Sequence, residues 1–257
     1  MPGGGPDTPM RAAVKRPDAG SALKAGAHAL FLVAGAFLTG LLFAGAAVSV
    51  LASMGFTRES DLVALLVVSS VGQFLGFYLA VWWYFQRVGD FDALVLARRP
   101  SLRDGAWAVG GLVALFLTNL VLSQLLVQFG LEGAQNAVIE QGRATPELFV
   151  YLIPVTILFV APAEELLFRG AVQGLLVRAV GAGPGVVGAS LLFGVAHYLA
   201  LGPTGSRVAT IAVIVVLGLL LGAVYELSEN IAVPIAVHAG WNVTVFAWEY
   251  ALVTGAV

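Results

Sequence analysis

The sequence predicts an all-α fold: a polytopic transmembrane helix bundle of seven spans, or eight if the fourth is broken. Three observations predict it. Hydrophobic residues make up 59% of the 257 residues and charged residues only 11%, against about 25% charge in ordinary soluble domains. The mean hydropathy is +0.93. The apolar residues fall in continuous runs long enough to cross hydrocarbon, about 20 residues each, and do not alternate as barrel strands do. Composition also excludes function classes. With no cysteine, disulfides, thiolate catalysis, Fe–S clusters and Cys-ligated zinc are all ruled out. A net charge of −2 gives no basic footprint for nucleic acid.

Residues 1–24 begin polar and rich in Gly and Pro, and are read as a disordered cytoplasmic tail. The apolar run that follows is too long for a signal-peptide core and has no clear small-residue cleavage site, so an uncleaved first span is expected. Three runs, at 28–53, 62–86 and 105–129, form an N-terminal three-span region within 25–146. A fourth starts near 147, runs into Glu164-Glu165 and continues as helix towards Arg178. Further runs fall near 186–202, 208–226 and 231–253, so 147–257 carries the remaining helices. Residues 87–104, with Arg87, Arg98, Arg99 and Arg103, read as a solvated loop, and 131–146 as a polar segment with a short interfacial helix. Gly72/Gly76, Gly170/Gly174 and Gly218/Gly222 permit close helix approach, and packing within one bundle is the expected use. Placing the N-terminus in the cytoplasm puts ten of the 13 basic residues inside and leaves Arg58, Arg143 and Arg207 outside, as the positive-inside rule requires. The chain is therefore expected in the plasma membrane, N-terminus inward.

An ionisable residue within a span costs roughly 2.5–3.5 kcal/mol on insertion scales, so those that persist are candidates for function. All six Asp fall outside the predicted spans. Glu164, Glu165 and Arg169 instead interrupt apolar sequence. Glu165 and Arg169 are i, i+4 with the acid first, the better order for a helix ion pair. Glu164 is about 100° further around the helix, free to face a cavity. Two adjacent carboxylates in a low-dielectric site repel, which suits a group that takes and returns a proton. Phe193 and His197 share a helix face at i, i+4, and so do His238 and Asn242. The third histidine, His28, opens the first span without such a partner.

A Glu, two His and an Asn can hydrolyse an acyl bond without a nucleophilic side chain. The Glu activates water, a His shares the proton, and His/Asn donors stabilise the oxyanion. Glu164, His197 and His238 could instead hold Zn²⁺, which would acidify the water. An aspartyl intramembrane site lacks its two Asp, and no H-E-x-x-H is present. Ser190 lies seven residues before His197 on the same face, and a Ser–His dyad ranks low beside the Glu/His set.

In order, Glu164-Glu165…Arg169, Phe193…His197 and His238…Asn242 resemble the CPBP family, the intramembrane CAAX-protease and bacteriocin-processing group that includes Rce1-type prenyl proteases. The resemblance covers roughly 160–245. It implies an endopeptidase acting on a membrane-associated peptide or protein substrate within the lipid bilayer. By position Glu164 corresponds to the water-activating base, His197 to its partner, and His238 with Asn242 to the oxyanion or ligand pair. Glu165, Arg169 and Phe193 take supporting places. Both Zn²⁺ and a metal-independent mechanism are open. A non-catalytic family member acting as a membrane scaffold or immunity protein is the alternative function, and a proton-coupled transporter ranks third. One geometric condition follows: His197 lies deep in its span, so Glu164 meets it only if the fourth helix runs on past Arg169.

Overall fold

The computed structural model describes residues 19–88 and 91–257, and is helical with no named strand among them. The helices are α1 (Ala19–Ser53), α2 (Leu62–Val88), the single turn α3 (Phe91–Leu94), α4 (Leu102–Gln128), α5 (Ala137–Ala144), α6 (Glu147–Val180), α7 (Ala182–Ala196), α8 (Arg207–Ser228) and α9 (Ala232–Thr254). α7 runs on into a 3₁₀ turn, His197–Ala200. Most of the expected tail, residues 1–18, lies outside the described residues. Residues 19–24 of that tail are instead the first turns of α1.

Among the described residues, six helices are long and apolar enough to cross a membrane: Gly20–Ser53, Leu62–Arg87, Leu102–Gln128, Glu147–Val180, Ala182–Ala200 and Arg207–Ser228. The expected seventh run is a 23-residue helix, α9, but it does not join this set. His238, Asn242 and Glu249 dilute its apolarity. The helix that supplies two of the predicted site residues therefore reads weakest as a span.

Small residues set the packing of the first two helices. A Cβ on Gly76 would lie 2.6 Å from the backbone of Gly40, and the Thr39 hydroxyl donates across the contact to the Gly76 carbonyl at 2.9 Å. Gly174 is pressed on Leu94, and Gly222 on Gln173 and Val186. All three predicted glycine pairs thus close contacts within the chain. His28, expected to stand alone, hydrogen-bonds through Nδ1 to the Tyr84 hydroxyl at 3.1 Å.

α6 is continuous for 34 residues, with two π-helical stretches, Thr156–Val160 and Leu166–Gln173. Proline explains part of its irregularity, because a prolyl nitrogen has no proton for the i−4 carbonyl. Pro162 has no N–H for the Leu158 carbonyl, and the Tyr78 hydroxyl of α2 donates to it at 3.3 Å. Glu164 falls at the centre of α6, so the condition that the helix run past Arg169 is met.

The segment 87–104 is not simply a solvated loop. Leu96 donates its N–H to the Tyr225 hydroxyl at 2.7 Å, and its carbonyl accepts from Ile231 at 2.7 Å. Arg98 grips Asp104 through two bonds of 2.7 and 2.6 Å and donates to the Ser228 carbonyl at 3.0 Å. Asp104, placed outside the spans by the sequence, is buried in the first turn of α4 and completes a capping box with Ser101. The turn between α8 and α9 is capped by this segment and is recessed. Gln173 of α6 bonds Glu226 near the end of α8 at 2.9 Å, while α6 continues about 10 Å further to Val180 at 1.5 Å per residue. α9 consequently starts deep, and His238, less than two turns along it, reaches the level of mid-α6.

At the other end, residues 131–136 hold the α7–α8 loop. Gln135 accepts from Gly202 at 2.8 Å and Glu132 from Ser206 at 2.7 Å. α5 is the expected short helix, capped by Asn136, and its Arg143 makes a two-point bridge to Glu249 of α9 at 2.6 and 2.7 Å.

Candidate active site

Mid-α6, the C-terminal end of α7 and the second turn of α9 meet at three side chains. The Glu164 carboxylate, through Oε2, lies 4.0 Å from His197 Nε2 and 3.7 Å from His238 Nε2. The trio is half enclosed: side-chain exposures are 14%, 20% and 8% for Glu164, His197 and His238. Residues separated by as many as 74 positions thus surround one carboxylate oxygen.

The outer nitrogens of both rings are already occupied. His197 Nδ1 lies 2.8 Å from the Phe193 carbonyl. A carbonyl only accepts, so Nδ1 carries a proton and Nε2 is the nitrogen turned to Glu164. His238 Nδ1 lies 2.8 Å from Glu165 Oε1. Arg169 Nε stands 3.3 Å from the other oxygen, Oε2, which fits an ionised Glu165 that accepts from Nδ1–H. Both imidazoles therefore turn Nε2 towards the same point, each oriented by a partner behind it.

Glu165 and Arg169 are fully buried. A lone buried charge would cost several kcal/mol, so one ionic group there requires the other. The guanidinium also donates to the Gly218 carbonyl at 3.5 Å and lies 4.3 Å above the Phe193 ring, where the ring quadrupole attracts it. Phe193 is the common wall of the site. Its ring centroid is 4.4 Å from that of His197, 6.1 Å from that of His238 and 5.1 Å from that of Phe168.

Asn242 lies one turn beyond His238 on α9. The structure does not pair it with Glu164 or either histidine. Its Nδ2 donates at 3.2 Å to the hydroxyl of Thr156, a buried α6 residue that the motif reading missed. It is an uncharged hydroxyl eight residues before Glu164, and its local sequence carries no signal of the contact. Ser190 makes no dyad: its hydroxyl donates to the Val186 carbonyl at 2.8 Å, while His197 is committed to Phe193.

Two imidazole Nε2 atoms and a carboxylate are a zinc-type donor set once the rings are neutral, and hydrogen-bonded Nδ1 atoms are the usual second layer of such sites. The chemistry of the donors fits a metal ion, although among the described residues no three such side chains are already drawn into a ligand cluster.

Residues 146–244 match the family model described as Type II CAAX prenyl endopeptidase Rce1-like. Every side chain of the site falls inside that stretch. No curated protein and no solved structure matches the chain. The family match supports assignment to the CPBP/CAAX protease family and, with six apolar helices, the reading of an integral membrane protein.

Proposed function

We propose, with that family assignment as the premise, that the protein is an intramembrane endopeptidase in which Glu164 activates water against a peptide bond of a membrane-associated substrate. One observation carries the reading: a mid-helix carboxylate faces two imidazole Nε2 atoms whose Nδ1 positions are already engaged. A water between Glu164 Oε2 and the imidazoles gives its proton to the carboxylate as its oxygen attacks the scissile carbonyl carbon. The carboxylate then returns that proton to the leaving amine. The water's second O–H donates to the bare Nε2 of His197, and His238 closes the other side of the water site. With Nδ1–H spent on Glu165, a neutral His238 has no N–H for an oxyanion, so that task falls to Asn242 Nδ2. Arg169 and Glu165 hold His238 in its tautomer, and Phe193 excludes bulk water from one side.

Zn²⁺, if bound, would be held by Glu164, His197 and His238 and would polarise water and acidify it. α9 counts as the seventh span in this reading. The basic residues set the N-terminus in the cytoplasm of a plasma-membrane protein, and the C-terminus then lies outside.

Purified protein in detergent should cleave members of a peptide panel, and Glu164→Gln should slow the cleavage by about 10²–10⁴. Metal content measured before and after chelation, alongside activity, divides the two mechanisms: activity that survives in metal-free protein rejects zinc. If Glu164→Gln cleaves as well as wild type, the site assignment is wrong. Intact cellular function in a non-cleaving Glu164→Gln variant would favour a scaffold.

A further inference from the structure

Helical Ser and Thr side chains in this protein commonly donate back to the carbonyl four residues earlier. Thr39 does so to Gly35, Ser70 to Leu66, Ser190 to Val186 and Thr244 to Gly240, all at 2.8–2.9 Å. Thr156 departs from this pattern. Among the described residues, its hydroxyl hydrogen-bonds only to Asn242 Nδ2, across the α6–α9 contact. Thr156 is also where the first π-helical stretch begins, two residues after Pro154. Such widened turns recur at functional sites. Thr156 is 1% exposed, so no bulk water competes for its hydroxyl.

A carboxamide can turn over about its last bond, exchanging an N–H edge for a C=O edge at little cost. With one Nδ2 proton held by Thr156, the other remains for an acceptor outside the protein, because Asn242 makes no other side-chain hydrogen bond among the described residues. We propose that Thr156 is a positioning residue: it fixes the Asn242 carboxamide with its nitrogen edge towards the reaction centre, so that the second N–H meets the developing oxyanion. This rests on the endopeptidase reading above. It adds a side chain outside the three motifs, two turns along α6 from Glu164.

The test compares Thr156→Val, which keeps the shape and removes the hydroxyl, with Thr156→Ser, which keeps the hydroxyl. Kinetics are read on a peptide from the panel that wild type cleaves. Removing an oxyanion donor outright costs about 10²–10³ in kcat; losing only its orientation should cost roughly tenfold, with KM within about twofold. Thr156→Ser should restore kcat to within about threefold of wild type. In an Asn242→Ala background, Thr156→Val should cost nothing further. An unchanged kcat in Thr156→Val, or an equal loss with and without Asn242, overturns the proposal.

A second readout does not depend on turnover. The chain has four Asn, at 119, 136, 230 and 242, so ¹⁵N-Asn labelling in micelles gives few side-chain NH₂ signals, and Asn242→Ala identifies the one needed. That signal should move in Thr156→Val and return in Thr156→Ser, and a signal that stays put overturns the contact. If wild type cleaves no peptide, or Glu164→Gln cleaves as well as wild type, the endopeptidase reading fails and the catalytic role of Thr156 falls with it. The NMR result then shows whether the contact itself survives.

Discussion

The α1–α2 hairpin and the α6–α7–α9 cluster are both made of long apolar helices, yet they hold together by opposite means. In the hairpin the backbones touch. Gly40 and Gly76 leave no room for a Cβ, and the Thr39 hydroxyl donates across that crossing to a backbone carbonyl. In the cluster the helices meet through ionic and imidazole side chains: the buried Glu165, Arg169 and His238, and the partly buried Glu164. Lipid provides no hydrophobic drive for helices to associate, so either close van der Waals contact or polar bonding must supply it. The hairpin uses the first and needs no chemistry. The cluster uses the second, which costs insertion energy and is retained where the side chains do something more than pack.

The contrast breaks most sharply at Glu164. Glu164→Gln keeps shape and should leave the melting temperature within a degree or two, while kcat on a cleavable peptide falls by about 10²–10⁴, the usual worth of a positioned general base. A comparable loss of folded protein would show Glu164 to be a packing element like Gly76.

Glu165 should differ from its neighbour. Glu165→Gln strands the buried Arg169 guanidinium, and breaking such a pair costs about 3–5 kcal/mol. Removing both charges in Glu165→Gln/Arg169→Met should recover most of that stability. It should not recover activity, because His238 Nδ1 still lacks its carboxylate, and losing such a second-layer partner costs about 10–100-fold. Chemical denaturation and kinetics on the three proteins check both halves. Full activity in the double variant would reduce Glu165 to charge compensation.

The motif residues were legible because their chemistry clashes with their surroundings. Glu164, Glu165, Arg169, His197 and His238 stand out in apolar runs, and helical spacing paired Glu165 with Arg169 and left Glu164 free, as the distances bear out. Three things were not legible. A 100° step per residue assumes a uniform α-helix, and α6 contains two π-helical stretches. Depth was counted along single spans, so the recessed start of α9, which brings His238 level with Glu165, depends on Tyr225 and Leu96, distant in sequence. Thr156 carries no charge, so nothing in its local sequence separates it from hydroxyls such as Ser190 that only bond back to their own helix.

The hairpin is tested from its own side by Gly76→Val. The added carbons collide with the Gly40 backbone, and overpacking of this kind costs about 1–3 kcal/mol. The melting temperature should fall and the active fraction with it, while kcat per folded molecule stays at the wild-type value. A kcat change at constant fold would show that the hairpin couples to the site.

The smallest effect is expected where the hairpin turns. Asp61 is partly exposed and accepts from the Thr57 amide at 3.0 Å and from the Ser60 hydroxyl. These bonds, the Ser60 one first, hold its carboxyl below the ordinary carboxylate range. A lowered folded value stabilises the turn at pH above the unfolded value, about 3.9; the benefit fades as pH falls through the folded value. The Thr57 amide should therefore exchange slowly at neutral pH and lose protection only below about pH 4, whereas Asp61→Ala should exchange quickly throughout with the melting temperature scarcely moved. The site carboxylates of α6 answer to imidazoles and a guanidinium; this one answers to a hydroxyl and an amide at the hairpin turn, and should tune one turn of chain and nothing else.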